Sequence, residues 1–142
     1  MILRSFAFLL LVAPLASAAP VPKELKRTDE RAILGTWDMA VHSSDGGPAT
    51  PQTVKWRLES DGKAFIMNPA DTAIGYKLHP GLSPKGFDWQ WPNSLHLGLY
   101  ELDGDTLKVV ITSGASGVRP TELMPAKGMI YCEFKRMTPG EK

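Results

Sequence analysis

Apolar and polar residues alternate with a period of two over most of the chain from residue 36 onward. Trp37, Met39 and Val41 alternate with polar or small residues, and several later segments repeat the pattern. Successive side chains of a β-strand point to opposite faces, so this period predicts strands with one buried face. We predict eight strands, around residues 36–41, 54–58, 64–68, 74–78, 87–91, 95–102, 107–111 and 129–136.

Short turns join most of these segments. Ser60-Asp61-Gly62-Lys63 and Asp103-Gly104-Asp105 each place a glycine between two apolar runs, as in a tight β-hairpin. Sequential antiparallel strands with one apolar face must hide that face and their edges. An all-β, up-and-down antiparallel barrel of eight strands does both, and a small open sandwich is the alternative.

The segment before the predicted strands has two parts, a predicted signal peptide and a lead-in with a short helix. Residues 1–18 combine the basic Arg4, an apolar run over 6–12 and the small residues Ala16-Ser17-Ala18, which is typical of a cleaved signal peptide. The run is shorter than the roughly 20 residues that cross a bilayer, which makes a retained anchor the less favoured alternative. We predict export, with cleavage near Ala18, to the periplasm or the medium.

The predicted organisation of the rest follows from these boundaries. Residues 19–33 form a lead-in and a short helix that closes one end of the domain, since residues 23–34 lack Gly and Pro. Residues 34–137 form the barrel and 138–142 a C-terminal tail.

The charge of the chain bears on the class of partner, and its cysteine content bears on disulfide bonding. Removing residues 1–18, which hold one basic residue and no acidic one, leaves 15 basic and 15 acidic residues. A neutral chain argues against nucleic acid as a main partner, because phosphate binding needs a basic surface. The single cysteine, Cys132, cannot close an internal disulfide. It alternates with Ile130 and Phe134, which favours a buried small apolar residue over a reactive thiol.

Two motifs carry a resemblance to a known family. Gly35-Thr36-Trp37 resembles the G-x-W signature of lipocalins, and residues 97–107 followed by 119–122 resemble a lipocalin-like family of exported proteins abundant in Planctomycetes. The resemblance implies that Gly35 and Trp37 begin the first strand, that Trp37 closes the barrel floor, and that Arg136 from the last strand packs over its ring. The resemblance implies an all-β, lipocalin-like antiparallel eight-stranded barrel and no established reaction. The Trp-rich segment 87–91 departs from the family pattern.

Catalytic and metal-binding motifs are not evident in the sequence. His42, His79 and His96 fall on different predicted strands without the spacing of a metal site. Ser113, Ser116 and Cys132 lack a nucleophile signature, and the chain has no phosphate-binding loop. We therefore predict a protein without enzymatic activity and without a cofactor.

The aromatic residues give the remaining functional hypothesis. Large rings either fill an eight-stranded barrel or line a ligand cavity in it, and the first interpretation is favoured. The candidate ligand-binding residues are Trp56, Tyr76, Trp89, Trp91 and Arg119. Arg119 is favoured as a structural residue that pairs with a carboxylate or carbonyls. The leading hypothesis is a binding module that holds a small apolar molecule, or a segment of another protein, at the barrel mouth. The alternative is an inhibitor of exported proteases.

Overall fold

One short helix and nine β-strands are present in the part of the chain that the computed structural model describes, residues 28–67, 71–114, 117–138 and 140. The helix α1 spans Asp29–Ala32. The strands are β1 (Gly35–Ser44), β2 (Thr50–Pro51), β3 (Lys55–Leu58), β4 (Lys63–Met67), β5 (Thr72–His79), β6 (Gly86–Trp91), β7 (Ser94–Asp103), β8 (Thr106–Thr112) and β9 (Met129–Arg136).

Antiparallel pairing runs around a closed ring of strands. From β3 to β9 each strand pairs with the next one in the chain, and β1 pairs with both β3 and β9. The ring therefore has eight strands, while the two-residue β2 pairs only with the outer half of β1. The predicted eight-stranded antiparallel barrel is confirmed, because the β1–β9 ladder closes the sheet that a sandwich would leave open.

Buried and more exposed side chains alternate along the strands with the predicted period of two. Trp56 and Leu58 of β3 are buried, while Lys55 and Arg57 between them are more exposed. Gly62 forms the β3–β4 turn with φ of +77°, a conformation that an L side chain rarely adopts. On β7, Tyr100 belongs to the main core and Leu99 lies on the opposite face.

A second, smaller apolar cluster lies outside the barrel wall. Leu99, Val110 and Tyr131 point away from the interior and are covered by Leu123 and Met129. Leu123 belongs to the segment between β8 and β9, so this segment folds back over the outer face of the sheet. Burial of these side chains fixes a segment that has no strand of its own.

The helix α1 lies near the C-terminal end of the predicted helical segment. Residues 1–27, which include the predicted signal peptide over 1–18, the lead-in and the first part of the predicted helical segment, lie outside the described residues. No helix within the described ranges is long and apolar enough to cross a membrane.

Candidate functional site

The start of β1 is the closed end of the barrel. Trp37 is fully buried, and its indole N–H donates a 2.8 Å hydrogen bond to the carbonyl of Ile33. The guanidinium carbon of Arg136 lies 4.2 Å from the centre of the Trp37 ring, which is the cation–π contact that the sequence predicts. Gly35 has φ of +123°, and a Cβ there would meet Arg136 Nη1 at 3.3 Å. These contacts join the first and last strands.

Arg136 also fixes the short helix against the barrel. Its Nη1 donates to the carbonyl of Leu34 at 2.8 Å and its Nη2 donates to the carbonyl of Ala32. Its Nε donates to the carboxylate of Asp105 at 3.0 Å. The carbonyls at the end of a helix have no partner within the helix, so the guanidinium satisfies groups that the helix itself cannot.

An apolar cavity of about 150 Å³ lies in the other half of the barrel, toward the end of β1. Its walls come from six strands and are almost entirely apolar. The lining residues are Met39, His42, Trp56, Ile66, Trp89, Trp91, Val109, Ile111, Ile130 and Cys132. The cavity is partly open at this end, which we call the barrel mouth.

Below the cavity the interior is packed with rings. Trp56 lies against Trp89 and Phe134 with centroid distances of 4.4 Å in both cases, and Phe87 lies 5.3 Å from Trp89. Gly98 allows β7 to lie close to its neighbouring strands, since a Cβ there would approach the carbonyl oxygen of Val110 to 2.3 Å. The two interpretations of the aromatic set therefore apply to different parts of one barrel: filled toward the closed end, hollow at the mouth.

The structure brings three of the five candidate ligand residues together. Trp56, Trp89 and Trp91 line the cavity, whereas Tyr76 and Arg119 are not among its lining residues. The Tyr76 ring stacks on Phe87 at 6.0 Å, and its hydroxyl donates to the carbonyl of Glu59. These contacts pack Tyr76 into the core. A period of two places a side chain inside the barrel, but it does not distinguish a packed position from one in the cavity wall.

Two buried indole N–H groups, those of Trp56 and Trp89, have no acceptor among the described residues. Trp56 is 8% exposed and Trp89 is 1% exposed, and neither Nε1 has a hydrogen-bond partner among the described residues. A buried donor without an acceptor costs about 1 to 3 kcal/mol. The surrounding protein therefore leaves both indole groups unpaired within the core.

The rim of the mouth contains a serine–histidine pair that the sequence interpretation missed. The Ser94 hydroxyl lies 2.9 Å from His96 Nε2, and His96 Nδ1 lies 2.8 Å from the carbonyl oxygen of Thr112. A carbonyl can only accept, so Nδ1 carries the hydrogen, and in the neutral ring Nε2 accepts from Ser94. Both residues line a shallow depression of about 390 Å³ that shares Trp91 and other walls with the cavity. The sequence held one signal for this pair: Ser94 and His96 are two positions apart, which places both side chains on the same face of a strand.

Arg119 lies on the outer face of the barrel, where it pairs with a carboxylate. Its Nη1 is 2.6 Å from Asp88 Oδ1 and donates to the carbonyl of Gly98 at 2.5 Å. His79 Nε2 lies 2.7 Å from the other oxygen of Asp88. This is the structural role that the sequence favours for Arg119. The pair anchors the segment between β8 and β9 to β6.

The surroundings of Asp88 change its pKa. Burial of the carboxyl raises its pKa, but the interactions with Arg119 and His79 outweigh burial and lower it below the ordinary value. A lowered pKa means that the ionised form is favoured in the folded state. This contribution to stability is complete above the ordinary carboxyl pKa and is lost as the pH falls through the folded-state pKa.

The acid stability of the protein is therefore expected to depend on Arg119. Between about pH 5 and pH 2, wild type should lose more unfolding free energy than Arg119→Met, because the variant, which retains only His79 beside the carboxyl, favours ionised Asp88 less. Urea unfolding followed by circular dichroism at a series of pH values measures the difference. The pKa of Asp29 is also lowered, and Asp29 is retained in both proteins. Parallel pH curves for the two proteins would contradict the prediction.

Cys132 lies in the cavity wall as a buried thiol. It is 4% exposed, and burial raises its pKa to about 12. The thiol is therefore protonated at neutral pH and a poor nucleophile. The predicted burial of Cys132 as a small apolar residue is confirmed.

The three histidines occupy separate settings. His42 lines the cavity, His79 pairs with Asp88, and His96 pairs with Ser94. Within residues 28–67, 71–114, 117–138 and 140, no group of three or more histidine, cysteine, aspartate or glutamate side chains is placed to hold a metal ion.

No protein-family model, curated protein or solved structure matches this chain.

Proposed function

We propose that the protein is a binding module that holds one small apolar molecule in the cavity at the barrel mouth. The observation that carries this proposal is the cavity itself, about 150 Å³ with almost wholly apolar walls. An apolar cavity of this volume accepts a molecule of the size of benzene. Removing apolar surface from water supplies the affinity.

The volume limits the size of the ligand. The rings of Trp56, Trp89 and Phe134 fill the barrel below the cavity. A lipid-sized chain would need this space, and core side chains are packed too closely to move aside at low cost. The proposal is therefore restricted to molecules of roughly one six-membered ring, with longer groups extending into the depression beside Ser94 and His96.

Export of the protein and membership in the lipocalin-like family are part of the proposal. The closed barrel and the Arg136–Trp37 contact agree with what the family resemblance implies. The signal peptide concerns residues outside the described part of the chain. The protease-inhibitor alternative, in which the N-terminal segment or a loop acts as a plug, stays a prediction from the sequence.

Filling the cavity tests the proposal. Ile130 is half-buried and lines both the cavity and the rim, so Ile130→Trp is expected to occupy the space of the ligand. Toluene at ten times its Kd should stabilise wild type by about 1.4 kcal/mol and leave this variant unchanged. Thermal unfolding followed by circular dichroism, with and without toluene, measures both effects.

The matched control places the same new side chain on the other face of the sheet. Leu95 is 44% exposed and is not a lining residue, so Leu95→Trp should keep the full response to toluene. The proposal is wrong if toluene leaves the melting of wild type unchanged. It is also wrong if Ile130→Trp responds as strongly as Leu95→Trp.

A further inference from the structure

The Ser94–His96 pair at the rim of the mouth has the arrangement of a nucleophile and its general base. We infer that Ser94 is a nucleophile that His96 activates, and that the pair hydrolyses small carboxylic esters at the barrel mouth. The inference adds an activity to the proposed binding function and takes from that function the position of the apolar part of the ester. It differs from the sequence-based prediction of no enzymatic activity, which the hydrolysis experiment tests.

The register of the β6–β7 ladder places both side chains on the inner side of the barrel wall. Ser94 pairs with Trp91 across this ladder. His96 pairs with Trp89, two positions further along. Directly paired residues of antiparallel strands share a face, and both tryptophans line the cavity. Leu95 lies between the two on the opposite face and is exposed. The pair therefore faces the mouth rather than the outer surface of the barrel.

Hydrogen bonds hold the imidazole of His96 in the form that a general base needs. Its Nδ1 lies 2.8 Å from the carbonyl oxygen of Thr112, so Nδ1 carries the hydrogen and Nε2 has a free electron pair in the neutral ring. Ser94 Oγ lies 2.9 Å from Nε2, within reach for proton transfer. A nucleophile bonded to a base that a third group orients is the general signature of covalent catalysis, and here the third group is a backbone carbonyl of β8.

The depression beside the pair has room for the ester group. Its volume is about 390 Å³, and the half-buried Ser94 and His96 are among its lining residues. The depression and the cavity are adjacent, because both are lined by Trp91, Ile111 and Ile130. An ester whose apolar ring occupies the cavity can therefore place its carbonyl group in the depression beside the nucleophile. Holding the two reacting groups next to each other in this way lowers the barrier to their reaction.

The reaction has two steps and needs only the ester and water. Ser94 Oγ forms a bond to the carbonyl carbon as its proton passes to His96 Nε2, and the alcohol then leaves with that proton as its bond to the carbonyl carbon breaks. Water attacks the acyl-serine in the second step, gives a proton to His96, and releases the carboxylic acid as Ser94 recovers its proton. Trp91 and Asn93 line the depression and carry side-chain N–H groups, the type of donor that stabilises the negative oxygen of the intermediate.

Hydrolysis of p-nitrophenyl acetate, whose single ring is of the size class that the cavity admits, measures the activity. Wild type should release p-nitrophenolate over many turnovers, and mass spectrometry during turnover should find an acetyl group on Ser94. Ser94→Ala and His96→Asn should each lower kcat/KM at least about a hundredfold. The amide of His96→Asn retains a donor for the Thr112 carbonyl and removes the base at Nε2. Circular dichroism compares the fold of each variant with that of wild type.

Two controls separate this reaction from chemistry that any protein surface performs. Ser60→Ala removes an exposed serine from the β3–β4 turn at the other end of the barrel and should leave the rate unchanged. A fluorophosphonate reacts with activated serines and should modify Ser94 in wild type but not in His96→Asn. Surface lysines also react with p-nitrophenyl acetate, but each of them reacts once, without turnover.

The outcomes distinguish the activity from the binding function. Turnover with acetylation of Ser94, lost in Ser94→Ala and His96→Asn, supports the inference. Turnover that either variant retains overturns it, and so does a wild type whose Ser94 is not labelled by the fluorophosphonate, whether or not the variants fold. In both of these cases, a toluene response of wild type leaves the proposed binding function standing. Turnover at Ser94 in a protein whose melting toluene does not change supports the activity and overturns the proposed binding function.

Discussion

Trp37→Ala is expected to lower the free energy of unfolding by about 3 to 5 kcal/mol. Trp37 is fully buried at the closed end, and its removal leaves a large void in the core. The change also removes the ring under the Arg136 guanidinium and the donor to the Ile33 carbonyl. Urea unfolding followed by far-ultraviolet circular dichroism measures the change without depending on indole fluorescence.

Trp91→Ala is the matched control for this substitution. Trp91 is half-buried at the mouth and lines the open cavity, so it loses less packing when truncated. Its cost should be well below that of Trp37→Ala. Equal costs for the two variants would show that the closed end does not contribute more to stability than the mouth.

Arg119→Met is expected to lower the free energy of unfolding by about 3 kcal/mol, toward the low end for breaking a buried ion pair. The variant leaves the Asp88 carboxylate, whose side chain is 12% exposed, without its cationic partner. It also removes the donor to the Gly98 carbonyl and the anchor of the segment between β8 and β9. Urea unfolding at neutral pH gives the magnitude.

A double-mutant cycle shows whether the carboxylate causes this loss. Asp88→Asn removes the charge and retains a group that can hydrogen-bond to His79. If the unpaired charge is responsible, the double variant should cost at least about 1 kcal/mol less than the sum of the two single variants. Arg57→Met is the control, because the Arg57–Glu59 pair is about 40% exposed and should contribute under about 1 kcal/mol. Additive costs at Asp88 and Arg119 would contradict this explanation.

The two ends of the barrel differ in packing and in hydrogen bonding. The closed end satisfies its polar groups internally, through the Trp37–Ile33 hydrogen bond and the contacts of Arg136. The mouth holds an apolar cavity that Trp56 and Trp89 border. Stability measured at the first end and ligand binding measured at the second are therefore expected to respond to different substitutions.

The sequence determined the strands, their order and the burial of particular residues. Alternation of side chains follows directly from strand geometry, so Trp37, Phe87 and Cys132 could be placed inside from local pattern alone. Short connections make neighbouring strands pair antiparallel, and the need to hide edges favours closure. The position of Arg136 over Trp37 followed from the parity of two strands together with the lipocalin resemblance.

Tertiary structure decided which inward-facing side chains pack against one another and where a cavity is left between them. Tyr76 and Trp89 have the same inward parity, but only the register of the neighbouring strands places one against Phe87 and the other at the cavity. The partner of Arg119 is 31 positions away in the chain, and the pairing required the β8–β9 segment to fold over the outer face. Such long-range contacts leave no local pattern, so the cavity was visible only in the folded barrel.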